Sequence, residues 1–144
     1  NDPVNNYDKD GCAYFAYRPL NNSIGRKFGV RWRGLDGINW VVAHEQLIFE
    51  DGGDPINIGY FDTSMRQRDE FCFQNQYIEI PGRYDDCVMR EAVKNVKPRP
   101  YWLMAIGPLQ YNCQDYAEDL RKEYFRLLSD RKIWCKCGLH KKGK

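Results

Sequence analysis

The strongest periodic signal lies in the C-terminal third of the chain. From Cys113, apolar or aromatic residues return at Ala117, Leu120, Tyr124 and Leu127, a 3.6-residue rhythm that predicts a helix to Leu128. Asp115, Glu118 and Asp119 fill its first turns. Arg121, Lys122, Arg126, Arg131 and Lys132 follow, the charge order that a helix dipole favours. Ahead of it the apolar run Tyr101 to Ile106 reads as a strand, closed by the turn signal Gly107-Pro108. Upstream the period shortens to two. Ile38 to Phe49 is β-branched and aromatic-rich, Glu50 to Pro55 is a turn, and Ile56 to Phe61 is a second strand, which together predict a hairpin. Alternation puts Val42, His44, Gln46, Ile48 and Glu50 on one face of the first strand. Phe28 to Trp32 and Phe71 to Ile80 read as further strands, and Thr63 to Glu70 as a charged loop. Asp85 or Asp86 is placed to cap a helix through Val96, because Val88, Ala92, Val93 and Val96 have helical spacing and Lys97 to Pro100 stops it. The expected fold class is α+β, an antiparallel sheet packed against helices.

Composition narrows the function classes. At 144 residues the chain is one domain by length, large enough for a core of its own, and its aromatic content excludes a disordered segment. A net charge of +2 gives no case for a nucleic-acid-seeking surface, and the lysines after Lys132 read as a solvated tail. The six cysteines follow neither a paired metal pattern nor an evident disulfide framework. Cys135-x-Cys137 with His140 lacks a second ligand pair, so no metal and no cofactor are expected. A disulfide such as Cys72 with Cys87 is compatible with an oxidising compartment, although no sequence rule selects the pair. There is no signal peptide and no apolar run near the roughly 20 residues that span a bilayer, so the expectation is delivery by other machinery.

The candidate chemistry centres on Cys113. A cysteine at a helix N-terminus feels the positive end of the dipole, which lowers a thiol pKa and favours the nucleophilic thiolate. Asn112 and Gln114 beside it are poor core material and useful around a reacting sulfur. A thiol nucleophile also needs a base, and His44, inside an apolar strand, is the better of two histidines. His140 sits in the basic tail and reads as an exposed ring without a role. A third polar group has to orient the His44 ring. Asn57, Asp62 and Glu50 are the candidates, and counting along the strands leaves the three open.

Two resemblances sharpen this reading. Asn1-Asp2-Pro3-Val4-Asn5, ending in Asp8-Lys9-Asp10-Gly11, resembles the phrase that closes the repeat core of Rhs and related YD-repeat proteins, with Lys9 where proline is usual. The resemblance implies that residues 1–11 end such a core and that 12–144 form a toxin domain. It also implies a repeat shell, a secretion apparatus and a cognate immunity protein as partners, and action after secretion or injection into a target cell. Asn112-Cys113-Gln114-Asp115-Tyr116, following a histidine-bearing strand, resembles the circularly permuted branch of the NlpC-type papain-like superfamily, which includes lecithin:retinol acyltransferase-like and YiiX-like proteins. That resemblance spans Ile38 to Leu128. It implies Cys113 as nucleophile, His44 as base, Asn57 as the nearest match for the third residue, and backbone N–H groups of Cys113 and Gln114 for the oxyanion.

The function expected is a cysteine hydrolase, a peptidase or amidase, acting on a protein, peptidoglycan or lipid substrate. Acyl transfer, lipid hydrolysis and deamidation are alternatives for the same pair of groups. A metal-independent nuclease toxin that does not use Cys113 is the alternative of another class, whereas the first reading expects no nucleic acid as partner.

Overall fold

Strand alternation and helix capping both recur in the computed structural model, which describes residues 12–19, 43–62, 65–67, 75–100 and 111–139. The strands are β1 (Cys12–Pro19), β2 (Ala43–Ile48), β3 (Asn57–Asp62), β4 (Met65–Gln67), β5 (Ile78–Glu79) and β6 (Tyr84–Asp85). The helices are α1 (Asp86–Asn95), α2 (Cys113–Leu128) and α3 (Arg131–Cys137). The sheet runs β4-β3-β2-β1-β5, every pair antiparallel, and β6 pairs with the start of β1. This is an α+β fold.

The predicted hairpin is β2–β3, with Gln46 opposite Gly59 and Ile48 opposite Asn57. Its turn is closed by Phe49 N–H donating to the Ile56 carbonyl at 2.9 Å. Gly52 takes a φ of 71°, a left-handed conformation that favours glycine. The turn is tied to α1 by a forked pair, Arg90 Nε and Nη2 donating to the two carboxylate oxygens of Asp51 at 2.7 and 2.6 Å.

Both predicted helices form, and their caps show why they start where they do. Asp85 caps α1 by accepting the Val88 N–H at 3.0 Å. Asn112 caps α2, taking the Gln114 N–H at 2.8 Å. Asp115 returns the favour by accepting the Asn112 N–H at 2.9 Å, a complete capping box. The helix α3, which the sequence reading placed in a tail, is capped by Asp130 at the Lys132 N–H and buries no residue. Its amphipathic signal is too short to see. The expected strands at Phe28 to Trp32 and Tyr101 to Ile106 lie outside the described residues, as do residues 1–11 and His140. Of Phe71 to Ile80, only Ile78–Glu79 is a described strand.

Cys87 is disulfide-bonded to Cys137, not to Cys72, which corrects the pairing suggested above; the bridge joins α1 to α3 across 50 residues of chain. Cys72 itself lies outside the described residues. The pairing could not be seen in the sequence because it needs α3 to exist and to fold back against α1.

The two faces of β2 divide the molecule. Leu47, with Phe15, Ile58 and Tyr60, packs against Val88, Met89 and Ala92 of α1 and Tyr116, Leu120 and Tyr124 of α2, all buried. Edge-to-face aromatic pairs run through this layer, Phe15 to Tyr84 at 5.4 Å and Tyr84 to Tyr124 at 5.1 Å. One ion pair sits inside it: Glu45 of β2 accepts from Arg121 of α2, and the Arg121 guanidinium also lies 3.9 Å from the centre of the Phe15 ring. The Glu45 side chain is 2% exposed and that of Arg121 12%.

Two predictions follow from this packing. Arg121→Ala leaves a buried carboxylate without its partner and should cost about 3–5 kcal/mol. A Glu45→Met/Arg121→Met pair should recover most of that loss in urea unfolding. The second concerns Asp86, whose carboxyl is pushed up to about 6 from its ordinary 3.8 by burial first and by the Asp51 charge second, against the Glu50 N–H and Arg90. Between those two values the folded chain holds more protons than the unfolded one, so this group makes stability fall as pH rises through the window. Asp86→Asn should therefore raise the urea midpoint at neutral pH, and the gain should close as the pH falls to the ordinary carboxylate range.

Candidate functional site

Cys113 is the first residue of α2, and its position follows from the capping box directly before it. Its side chain is enclosed, with the residue 1% exposed. Burial raises the thiol pKa to about 11; the Glu45 N–H, the largest opposing influence, favours the thiolate, while the nearby Glu45 carboxylate disfavours it. The N–H groups of Cys113 itself and of Gln114 add to the favourable side. Three backbone amides thus converge on one sulfur, and burial still wins, so the thiol is protonated at neutral pH.

Asn112 is fully buried as well. Its side-chain oxygen serves the cap, and its Nδ2 has no hydrogen-bond partner among the described residues. Such a donor, left in a buried position, costs on the order of 1–3 kcal/mol. Gln114 contributes its backbone, and its N–H is shared between the Asn112 oxygen and the environment of the thiol.

His44 lies near the start of β2 and is 1% exposed. The ring Nε2 is 2.7 Å from Gln46 Oε1, and Gln46 Nε2 donates to Asn57 Oδ1 at 3.0 Å. Because the Gln46 amide nitrogen is committed to Asn57, its oxygen faces the ring, so Nε2 donates in this contact. Gly59 makes this arrangement fit. A Cβ there would come within 1.9 Å of Gln46 Oε1 and 2.8 Å of His44 Nε2.

Of the sequence candidates for orienting the ring, Asn57 is linked to it through Gln46. Glu50 is exposed beyond the end of β2, and only the backbone of Asp62 is described. Gln46 touches the ring directly. The period-2 alternation places Gln46 on the face of His44, two residues along the same strand, where a ring partner is less expected than on the neighbouring strand.

The structure brings these residues together in two groups. His44, Gln46 and Asn57 form one chain of contacts, joined on the same face by Arg18, which stands opposite His44 in the β1–β2 ladder. Asn112, Cys113 and Gln114 form the other. Glu45 and Leu47 face α2, so by strand alternation His44 and Gln46 face away from it. The Cys113 sulfur therefore meets β2 at the backbone of Glu45, the residue next to His44, while the His44 ring leaves the strand on the opposite side. The β2–β3 ladder runs from Ile48 to Gln46, which leaves Glu45 just past its described end.

The thiol environment predicts a reactivity order. Among Cys12, Cys113 and Cys135, only Cys135 is exposed. In native protein at neutral pH, iodoacetamide should modify Cys135 quickly and spare Cys113, as read by peptide mass spectrometry, and unfolding should abolish the difference. Comparison with protein-family models, with curated proteins and with solved structures finds no match to the chain.

Proposed function

We propose that this chain is a delivered toxin domain of permuted papain-like (NlpC-type) architecture, a thiol hydrolase that cuts an amide bond with Cys113 as nucleophile and His44 as base. The observation that carries the reading is the convergence of backbone amides on the Cys113 sulfur, at a capped helix start that abuts the strand bearing His44. Cys113 lies within the apolar core, and the three N–H groups on its sulfur favour a thiolate and, after attack, the oxyanion of a carbonyl. The Asn112 Nδ2 group, without a partner among the described residues, adds a donor beside them.

On this reading Gln46, held by Asn57, orients the His44 ring at rest, and the ring parts from Gln46 to take the thiol proton. The sulfur attacks the carbonyl carbon, the C–N bond breaks, and the ring returns the proton to the leaving amine. Water, deprotonated by the same ring, then hydrolyses the thioester. The protonated, enclosed thiol makes the present arrangement a resting one. The ring has to come round the Glu45 end of β2, beyond the β3 ladder, before the proton passes. Acyl transfer, lipid-ester cleavage and deamidation use the same groups, so the substrate class is a protein, peptidoglycan or lipid carbonyl. The phrase at residues 1–11 supports delivery from a repeat shell and an immunity protein as partner.

A second reading is favoured by one observation, the placement of Arg18 and His44 side by side on the face away from Cys113. Arg18 is 5% exposed, and its Nε donates to the Tyr77 hydroxyl at 3.3 Å. A cation beside an acid–base group suits phosphoryl transfer on RNA without a metal.

One experiment separates the two. Wild type, Cys113→Ala, His44→Gln and Arg18→Ala are expressed in a bacterium, directed to cytoplasm or periplasm, with thermal unfolding as the control for folding. The hydrolase reading expects Cys113→Ala and His44→Gln each to lose killing, equivalent to about 10²-fold or more in rate, with the fold retained. Killing that survives Cys113→Ala but not His44→Gln or Arg18→Ala sinks it in favour of the second reading. Killing by all three variants sinks both.

A further inference from the structure

The start of α1 gathers a second set of reactive groups, away from Cys113. The sulfur atoms of Cys87 and Cys137 and a carboxylate oxygen of Asp85 all lie within 4.8 Å of one another, on half-buried residues. The same corner opens on a groove of about 430 Å³ lined by Asp51, Asp85, Asp86, Cys87 and Arg90, among others. In that groove Asp86 is 4% exposed, and its Oδ2 has no hydrogen-bond partner among the described residues. Two sulfur atoms and a carboxylate gathered at one corner, with a buried, open carboxylate acceptor lining the adjoining groove, are more than the disulfide requires.

We propose that the reduced protein binds one zinc-type divalent cation at Asp85, Cys87 and Cys137, and that the disulfide is the metal-free, oxidised form of the same site. Thiolate sulfur with a carboxylate oxygen is a ligand set for zinc, and the two thiolates select it over magnesium or calcium. Asp85 Oδ1 is engaged with the Val88 N–H, so Oδ2 is the ligand atom. Three protein ligands leave a fourth position for water, which the groove accommodates. Two thiolates and Asp85 set three negative charges against the two of the cation. Arg90, the nearest guanidinium in the groove, is already neutralised by its fork to Asp51. The sulfur atoms have to part from bonding distance to ligand spacing. The α3 helix permits this because none of its residues is fully buried, and beyond the bridge it is held by the Lys136–Glu91 ion pair at 2.8 Å and by Ile133 against the core.

The chemistry balances with a dithiol as reductant. It gives two electrons and two protons to the Cys87–Cys137 bond, becomes a disulfide itself, and leaves two thiols. The cation then displaces both protons as the thiolates bind.

Cobalt(II) serves as the probe, titrated anaerobically into the reduced, desalted chain and followed by thiolate-to-cobalt charge-transfer absorption, with circular dichroism recorded at each point. The expected result is one cobalt per chain in the reduced protein and none in the oxidised protein. Cys87→Ser and Cys137→Ser should lose the band, and Cys135→Ser should keep it. Asp85→Asn, which still caps α1, should weaken binding about tenfold or more. Equal binding by oxidised protein, a band that survives Cys87→Ser, or its loss in Cys135→Ser would each overturn the site, the last by moving the metal to Cys135-x-Cys137. A reduced chain that unfolds and takes up no cobalt overturns it as well.

Discussion

The buried contact between Glu45 and Arg121 is the constraint on which the arrangement of this molecule turns. A carboxylate and a guanidinium placed inside an aromatic layer have to meet each other, because neither is tolerated there alone. Their meeting fixes which face of β2 looks at α2, and the Phe15 ring under the guanidinium leaves little freedom for the helix to slide. With α2 set in rotation and height, its first residue arrives at the β2 backbone beside Glu45. The seat of Cys113 is thus a consequence of a charge pair two helical turns away.

The same constraint decides what the opposite face of β2 can be. Since Glu45 and Leu47 serve the helices, His44 and Gln46 are left for the other side, where they build a polar line to Asn57 across a residue without a side chain. Buried polar chains of this kind are stable only when every member is satisfied. Each link here relies on the next, so the orientation of the ring is encoded in three residues on two strands. Thiol and imidazole are therefore positioned by different layers of the protein, one by helix capping and ion pairing, the other by cross-strand amides.

Much of this architecture was legible because it rests on local signals. The β2–β3 hairpin, α1 with its aspartate cap and α2 with Asn112 before Cys113 all come from periodicity and capping chemistry, which act within a few residues. What escaped depends on contacts distant in sequence. The α3 helix gains its place through Cys87, 50 residues earlier, and no periodicity in seven residues announces it. Gln46 as the partner of His44 depends on Gly59 giving room across the ladder. That Cys113 and His44 approach β2 from opposite sides depends on Glu45 turning inward, where an isolated glutamate in a sequence reads as solvent-facing.

The position of β1 has a mechanical consequence. Its first residues, Cys12 and Ala13, are paired with β6, Tyr14 to Pro19 with β2, and Ala16 and Tyr17 also with β5, which makes β1 an interior strand of the sheet. Whatever holds the chain at its N-terminal side therefore pulls on an interior strand and along its length. The ladder bonds of an antiparallel pair stand perpendicular to that direction, so a tug loads the whole row together and does not peel it one bond at a time. Force applied there meets the sheet where it resists best. Force applied at the C-terminal side meets α3 first, a short helix secured by a covalent bridge.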